Sequence, residues 1–471
     1  MFSASTVRSS GYSFLYGGLT LLLVAGATQA KETDTNSAGP APVREQTLRE
    51  GRDLFSRAWV PNDPRSHGGD GLGPVFNARS CLACHDQGGP GGAGPVERNI
   101  DVATVTGGRS QGYQFTYSFA IGFGTGQGTY RSVSNLSEPS RRGPEIDASV
   151  LATVHPGFRT SRSVVLHHFG TDPEYHSWRA AVPGPHGTAL IRTTQRNPTP
   201  LFGTALLDSL PDEAIEAAAK RKFPDSTRVR GRVSRLRDGR IGRFGWKAQT
   251  ATLAEFVLSA AATEVGLELP GRHQAADPRL PGVGAAGLDM NEAECDALVA
   301  YVRSLPEPAI RESFDADEAA RVKAGEATFG SIGCAGCHLP RVGDVEGVYS
   351  DLLLHDMGLG LGDTGSYDVF VGPPAGGEEF AAGGRGRAAG ATDREWRTPP
   401  LWGLRDSGPY LHDGRALTID RAITLHGGQG AVSARRYAQL SSRRKQQLGA
   451  FLNSLCAPAA EDELPSQSQR P

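Results

Sequence analysis

The sequence predicts a mainly α-helical protein built from two related halves, the first of which is enlarged by a long insertion. The signature Cys-x-x-Cys-His occurs twice, at 81–85 and at 334–338. Each copy is preceded by a helical pattern and followed, further on, by a leucine-rich helical pattern, so that the whole arrangement repeats once. A chain of 471 residues is long enough for two such domains and an insertion.

Cys-x-x-Cys-His is the attachment motif of c-type haem. In the first copy, the thiols of Cys81 and Cys84 would each add to a haem vinyl group, and His85 would bind the iron from the proximal side. The second copy offers the same three groups, Cys334, Cys337 and His338. We therefore expect two covalent haems, two cytochrome c-like domains, and a function in electron transfer or haem redox catalysis.

Zinc is the alternative ligand of Cys-x-x-Cys motifs, and the cysteine count argues against it. Tetrahedral zinc takes four ligands per site, and outside the two motifs only Cys295 and Cys456 remain. These two cysteines lie in equivalent helical patterns of the repeat and do not form a Cys-x-x-Cys redox pair. In an oxidising compartment they would form a disulfide or stay buried.

The repeat extends beyond the two haem motifs. Residues 48–55 precede the first motif and 322–329 the second, and each segment has a glycine followed four residues later by a phenylalanine. At the far ends, 298–305 matches 448–455, and each places an aromatic residue three positions after a leucine. This spacing suits a C-terminal helix that crosses an N-terminal helix.

These matches place a domain boundary near Pro308. The predicted N-terminal haem domain covers 46–308, and the predicted C-terminal haem domain covers 309–457. The N-terminal domain is longer because of the insertion. Within it, the stretch from Gly107 to Tyr130 alternates aromatic residues with others, which predicts a β-hairpin. A surface loop without a role at the haem is the alternative.

Residues 1–30 have the features of a secretory signal, with Arg8, an apolar run at 17–27 and small residues after it. The run is too short for a comfortable membrane span. We therefore expect cleavage, a periplasmic or secreted product, and no transmembrane segment in the mature chain. The composition of 31–45 and 458–471 predicts a disordered leader and tail. A net charge of −2 gives no attraction toward nucleic acid.

The sixth ligand of the second haem has two candidates. Apart from the initiator, the methionines are Met290, at a predicted helix start, and Met357, which follows the second motif closely. His426 follows a short helical pattern between the motif and the closing helix, a position from which it could reach the far side of the iron. For the first haem, spacing selects none of five histidines, namely His155, His167, His168, His176 and His186.

Several stretches resemble a known family. Residues 396–404 (WRTPPLWGL) and 408–415 (GPYLHDGR) resemble the TPxL(R)N…PYxHDG region of bacterial dihaem cytochrome c peroxidases. Within that superfamily, the chain most resembles the dihaem oxidoreductase branch, often labelled thiol oxidoreductase-like. The stretches that resemble this branch are 70–81, 242–248 and 351–358. The resemblance covers nearly the whole mature chain.

The resemblance implies roles for individual residues. The haem on His85 would be the peroxidatic one, and Trp246 would correspond to the tryptophan that relays electrons between the haems. Glu264 resembles the acid that assists peroxide cleavage, whereas Phe256 stands where peroxidases have a distal glutamine. His426 occupies the position of the second haem's distal ligand, where peroxidases have a methionine. Since axial methionine raises a haem potential, a bis-histidine haem would lie lower.

The resemblance also implies one calcium ion between the domains, to which Asn197, Thr398 and Pro400 would be ligands. The leading hypothesis is an exported peroxidase-like oxidoreductase. In it, electrons pass from the C-terminal haem through Trp246 to an open N-terminal haem that reduces hydrogen peroxide. The electron donor would be a small redox protein or a quinol-linked donor. The alternatives are a non-catalytic dihaem electron carrier and an oxidase of a protein side chain that acts through a high-valent haem.

Overall fold

The computed structural model describes residues 41–107, 148–222, 229–311, 315–365 and 390–458. The predicted signal segment, the aromatic stretch after Gly107 and the tail from 459 on lie outside these residues. The chain from Glu45 onward is one compact unit. The first helix begins at Ala41, inside the segment predicted as a leader. The division into two domains near Pro308 stays a prediction.

Helices hold more of the described residues than strands do, as the sequence predicts. In chain order, the described α-helices are α1 (Ala41–Ser56), α2 (Ala148–Val154), α3 (Tyr175–Ala181), α4 (Thr204–Ser209), α5 (Asp212–Lys220), α6 (Leu253–Ala260), α7 (Glu292–Ser304), α8 (Ala316–Ser331), α9 (Ile419–Leu425), α10 (Ala431–Ala438) and α11 (Ser442–Ser454). A π-helical turn, Ala261–Val265, continues α6. Among the described helices, none combines the length and the apolar character that a bilayer crossing requires.

The strands are short, and their pairing is antiparallel. In chain order they are β1 (Val75–Phe76), β2 (Ile100–Gly107), β3 (Ser163–Val165), β4 (Phe169–Gly170), β5 (Gly184–His186), β6 (Ala189–Arg196), β7 (Ala309–Ile310), β8 (Arg341–Val342), β9 (Val345–Glu346), β10 (Leu354–Asp356), β11 (Glu395–Arg397) and β12 (Leu455–Cys456). The insertion contributes a four-stranded sheet of order β3-β2-β6-β5, and the other strands form the pairs β1-β4, β7-β12, β8-β9 and β10-β11.

Both predicted helix crossings are present, and each has a glycine at the point of contact. A Cβ atom on Gly51 of α1 would lie 2.0 Å from the carbonyl oxygen of Ala297 in α7. A Cβ atom on Gly325 of α8 would lie 2.0 Å from the carbonyl oxygen of Gln447 in α11. Because no side chain fits at either point, glycine is what lets the two backbones approach this closely.

Aromatic rings pack one turn beyond each crossing. The ring centroids of Phe55 and Tyr301 are 5.3 Å apart, and those of Phe329 and Phe451 are 5.4 Å apart. Such tilted contacts are favourable for aromatic pairs. The repeat seen in the sequence is therefore a repeated packing unit, which brackets each Cys-x-x-Cys-His motif.

The buried side chains form three clusters. The largest joins apolar residues of α1, α6 and α7, among them Leu54, Leu253 and Leu298. A second lies between α8 and α11 and includes Phe329. The third covers the four-stranded sheet and includes Leu151 of α2. The first two clusters flank the cavities in which the candidate haem ligands lie.

Candidate haem-binding sites

The first Cys-x-x-Cys-His motif lines a cavity in the N-terminal half, with Cys81, Cys84 and His85 in its wall. The Nδ1 atom of His85 lies 3.1 Å from the carbonyl oxygen of Gly92. When Nδ1 donates its proton to that carbonyl, the lone pair of Nε2 is left for a metal. Burial lowers the pKa of His85, so the ring is neutral at pH 7, as an iron ligand must be.

The second motif has the same arrangement. Cys334, Cys337 and His338 line a second cavity, and Nδ1 of His338 lies 2.9 Å from the carbonyl oxygen of Tyr349. Burial lowers the pKa of His338 to about 4. In both halves, the backbone thus orients the motif histidine so that Nε2 is available to iron.

His426 faces His338 across the second cavity. It follows α9, and its Nδ1 lies 2.8 Å from the carbonyl oxygen of Ala422, so its Nε2 is also free. The ring centroids of His338 and His426 are 6.5 Å apart. A metal–imidazole bond is about 2 Å long, and two rings on opposite sides of one iron therefore have centroids roughly 6 Å apart. Met357 lines the same cavity, but for His426 the ring spacing matches that of an axial pair.

Trp246 lies in the wall that separates the two cavities, since it lines both of them. Its Nε1 donates a hydrogen bond of 2.9 Å to the carbonyl oxygen of Asn197. Phe256 also lines both cavities, which puts an apolar ring where the resembling peroxidases have a glutamine. The tryptophan predicted to lie between the haems is thus in contact with the space on both sides.

Glu264 lies in the first cavity, on the π-helical turn that continues α6. Asn77 donates a hydrogen bond of 2.5 Å to its Oε2, whereas Oε1 is buried and has no hydrogen-bond partner among the described residues. Burial raises the pKa of Glu264 to about 8. The carboxyl group is therefore mainly protonated at pH 7. Single π-helical turns are frequent at functional sites.

A second protein ligand for the first iron does not emerge from the described residues. Among those that line the first cavity, His85 is the only histidine, and there is no methionine, tyrosine or lysine. His167, one of the five histidines considered from sequence, instead places Nε2 at 2.8 Å from the carbonyl oxygen of Thr263. His168 lies 3.3 Å from a carboxylate oxygen of Asp101.

Comparison with known proteins shows the family of this chain. A family profile described as "Di-haem oxidoreductase, putative peroxidase" matches residues 188–455, more than half of the chain. The chain belongs to the di-haem oxidoreductase family. Membership of this family implies two c-type haems. The two sets of thiols and histidines are the groups that would attach them and bind their irons.

Similarity to individual proteins is more limited. The methylamine utilization protein MauG of Methylorubrum extorquens is 30% identical over 152 residues, which cover 31% of this chain and 37% of that protein. Hydrazine synthase of Kuenenia stuttgartiensis (21% identity, TM-score 0.25) and a MauG-like protein associated with microbial copper homeostasis (17% identity, TM-score 0.27) are solved structures similar to this chain. Each of these two alignments covers 53% of this chain and 90% of the other.

Beside Trp246, this di-haem oxidoreductase has a stack of rings that the sequence analysis missed. The rings of Trp396 and His412 are parallel with centroids 3.7 Å apart, and the His412 ring meets Trp246 edge-on at 6.4 Å. The Nζ atom of Lys247 lies 3.7 Å from the centroid of Trp396. Burial lowers the pKa of Lys247 to about 7. Its ammonium group donates to three backbone carbonyl groups, those of Thr392, Asp393 and Glu395.

Arg397, on β11, is a second residue that the sequence analysis did not single out. Arg397 lines the second cavity and is only 5% exposed to solvent. Its Nε donates a hydrogen bond of 2.8 Å to the carbonyl oxygen of Gly245, and its backbone N–H donates one of 2.9 Å to that of Trp246. Burial lowers the pKa of Arg397 to about 10, so the guanidinium group is charged at pH 7.

A buried ion pair lies next to the second motif. Nε2 of His355 is 2.8 Å from a carboxylate oxygen of Asp351, and Nδ1 is 3.5 Å from the sulfur of Cys337. Burial opposes the charge on the ring, but the hydrogen bonds to Asp351 and Cys337 outweigh it and raise the pKa of His355 to about 11. The three groups could together hold a metal ion, but the Cys-x-x-Cys-His motif predicts that the Cys337 sulfur is bonded to the haem instead.

The three predicted calcium ligands, Asn197, Thr398 and Pro400, all line the second cavity. Two of them are already engaged. The Asn197 amide donates a hydrogen bond of 2.9 Å to Oδ1 of Asn99, and the Thr398 carbonyl accepts one of 2.7 Å from the hydroxyl of Ser350. The calcium ion stays a prediction.

The two cysteines outside the haem motifs are both buried, and they are not joined in a disulfide. Cys295 lies in α7, within the largest cluster, and Cys456 lies on β12. Of the two outcomes expected from sequence, a disulfide or burial, the structure has burial.

Proposed function

We propose that this di-haem oxidoreductase is an exported peroxidase-like enzyme. Electrons would pass from the C-terminal haem through Trp246 to the N-terminal haem, where hydrogen peroxide is reduced. Reduction of one peroxide to two waters consumes two electrons and two protons, so the site needs both an electron route and a proton donor. When bound, the N-terminal haem supplies an iron that can bind peroxide and pass electrons to it.

The observation that carries the proposal is the buried carboxyl group of Glu264 in the same cavity as His85. With a pKa of about 8, it is protonated at pH 7 and can donate a proton to the departing oxygen of peroxide. The hydrogen bond from Asn77 holds one carboxyl oxygen. The other oxygen, which has no partner among the described residues, is available to peroxide.

The composition of the first cavity supports an open coordination position on its iron. Its described lining offers His85 alone as an imidazole ligand and no thioether. In the second cavity, by contrast, His338 and His426 face each other with an axial spacing. This asymmetry favours one haem that binds small ligands and one that only transfers electrons, rather than a carrier with two closed haems.

Trp246 supports the electron route because its ring borders both cavities. Its N–H is held by a backbone carbonyl, that of Asn197, and not by a basic side chain. Within the described residues, no basic side chain is therefore positioned to take the indole proton when an electron leaves the ring. A small redox protein or a quinol-linked donor would supply electrons to the His338/His426 haem.

The test is peroxide-dependent oxidation of the reduced holoprotein, followed by stopped-flow spectroscopy. Glu264→Gln keeps the size of the side chain but removes its exchangeable proton, and we expect the rate to fall about a hundredfold or more. Glu255→Gln is the matched control, because Glu255 lies on the adjoining α6 and pairs with Arg240 instead.

Two outcomes would contradict the proposal. The first is a Glu264→Gln protein that reacts at the wild-type rate. The second is a reduced wild-type protein in which neither haem binds carbon monoxide, which would make the chain an electron carrier.

A further inference from the structure

Arg397 is a buried cation without an anion. Its Nη1 atom is buried and has no hydrogen-bond partner among the described residues. Its Nε donates to a neutral carbonyl, that of Gly245. Within the described part of the chain, no carboxylate forms an ion pair with it. A buried, unpaired charge is costly, which is why buried arginines are normally matched by an anion.

Other buried arginines of this protein follow that rule. Arg196 lies 2.6 Å from a carboxylate oxygen of Asp363, and both side chains are 5% exposed. The guanidinium of Arg243 is likewise paired with the carboxylate of Asp212. Arg397 differs from these two in having only backbone partners. An anionic group bound in the cavity would supply the counter-charge that the described residues do not.

Two cationic side chains line the second cavity, and one of them, His355, is already paired with Asp351. Arg397 is the only arginine among its described lining residues, which include no lysine and no carboxylate. Cys334, Cys337 and His338 line the same cavity and would hold the haem there. A haem carries two propionate carboxylates, and a guanidinium group binds a carboxylate through parallel hydrogen bonds. We propose that Arg397 binds a propionate of the second haem.

The contact would also fix the haem relative to Trp246. The backbone N–H of Arg397 donates to the carbonyl of Trp246 at 2.9 Å, and its Nε donates to that of Gly245 at 2.8 Å. A propionate bound to the guanidinium would therefore be linked, through Arg397, to the backbone of Gly245 and Trp246. This makes Arg397 a positioning residue. The inference rests on haem attachment and does not depend on peroxide reduction.

The first experiment measures the midpoint potentials of both haems in the holoprotein by spectroelectrochemical titration. Arg397→Met removes the charge and keeps much of the bulk. We expect the midpoint of the second haem to fall, because the lost cation stabilised the added electron. Arg397→Lys should retain most of the wild-type potential. Arg435→Met is the control, since Arg435 is exposed on α10, and it should leave both potentials unchanged.

The inference would be overturned by an unchanged second-haem potential in an Arg397→Met protein that mass spectrometry shows to carry both haems. A shift confined to the first haem would do the same. The potential titrations do not involve peroxide. A failure of the protein to reduce peroxide would therefore not affect this result.

A second measurement covers the case in which Arg397→Met does not fold. Haem labelled with ¹³C at the propionate carboxyls gives carboxylate bands in redox-difference infrared spectra. Poised so that only the second haem changes state, wild type and Arg397→Lys should differ in one labelled band, because guanidinium and ammonium bind a carboxylate differently. Identical labelled bands in the two proteins would show that Arg397 does not contact the propionate.

Discussion

Asn77 donates a hydrogen bond to one carboxyl oxygen of Glu264, and the other oxygen of that carboxyl is left without a partner among the described residues. Asn77 is itself held in place, because its Oδ1 accepts the backbone N–H of His168 at 2.9 Å. A fixed amide that binds one carboxyl oxygen determines where the other one points. Asn77 and the backbone of His168, which are distant from Glu264 in sequence, thus orient its carboxyl group.

We expect Asn77→Ala to reduce the rate of the peroxide reaction roughly tenfold, the equivalent of a lost hydrogen bond of about 1.4 kcal/mol. The hydrogen bond from Asn77 lowers the pKa of Glu264, against the larger effect of burial. Loss of this hydrogen bond should therefore raise the pKa of Glu264 and shift the high-pH limb of the rate profile to higher pH. The measurement is kcat/KM for peroxide against pH, and an unmoved limb would show that Asn77 does not act on Glu264.

The wild-type rate should fall as the pH rises through about 8. In the proposed reaction Glu264 donates a proton, so its protonated form would be the active one, and the pKa of the carboxyl is about 8. Glu264→Gln, which cannot titrate, should lose this limb together with most of the activity. A limb that persists unchanged in Glu264→Gln would assign the titration to another group.

His426→Ala should open the second haem to ligands. Because the ring of His426 lies opposite that of His338, its removal leaves one face of the iron free. Carbon monoxide should then bind two haems per chain instead of one, as counted by difference spectroscopy. His426→Met should keep the haem closed and raise its potential. Met357→Leu is the control, and a second carbon monoxide site in that variant would favour Met357 as the ligand.

Trp246→Phe should slow electron transfer between the haems. The phenyl ring keeps an apolar wall between the cavities but is harder to oxidise than indole. Stopped-flow spectroscopy should show the second haem re-oxidising more slowly after peroxide is added, with carbon monoxide binding to the first haem unchanged. Trp178→Phe serves as the control, because Trp178 packs against the sheet cluster of the insertion. Equal slowing in both variants would point to a general structural effect.

Gly325→Ala should destabilise the protein by about 1–3 kcal/mol, the usual cost of an overpacked contact. The added Cβ would lie 2.0 Å from the Gln447 carbonyl oxygen, where α8 crosses α11. Gly330→Ala is the matched control, since it lies in the same helix with no atom near its added Cβ. There we expect no loss, and a gain of up to about 1 kcal/mol. Urea denaturation of the two holoproteins gives both values.

Local patterns in the sequence were enough to find the parts of the site that follow from spacing. The two motifs, the paired helix crossings and the candidate His426 come from residues whose neighbours in sequence are informative. Trp246 was expected only from the resemblance to the peroxidases. Gly51 and Gly325, at which the helices cross, are recognisable in the sequence because both belong to the repeat.

Burial and long-range contact could not be predicted in the same way. Arg397 differs from an exposed arginine only because it meets Gly245, which lies far away in sequence. The depressed pKa of Lys247 and the orientation of Glu264 by Asn77 likewise depend on the complete fold. The four-stranded sheet of the insertion unites segments on either side of residues that the structure does not describe, and no short pattern in the sequence pairs them.

The pairing of β7 with β12 sets Ala309 beside Cys456. The two ends of the stretch 309–456, which carries the second motif, therefore lie next to each other. A stretch whose two ends meet can be rejoined by a short bridge and reopened elsewhere with little disturbance. We therefore expect the stretch 309–456 to tolerate circular permutation, with new termini placed in a surface turn.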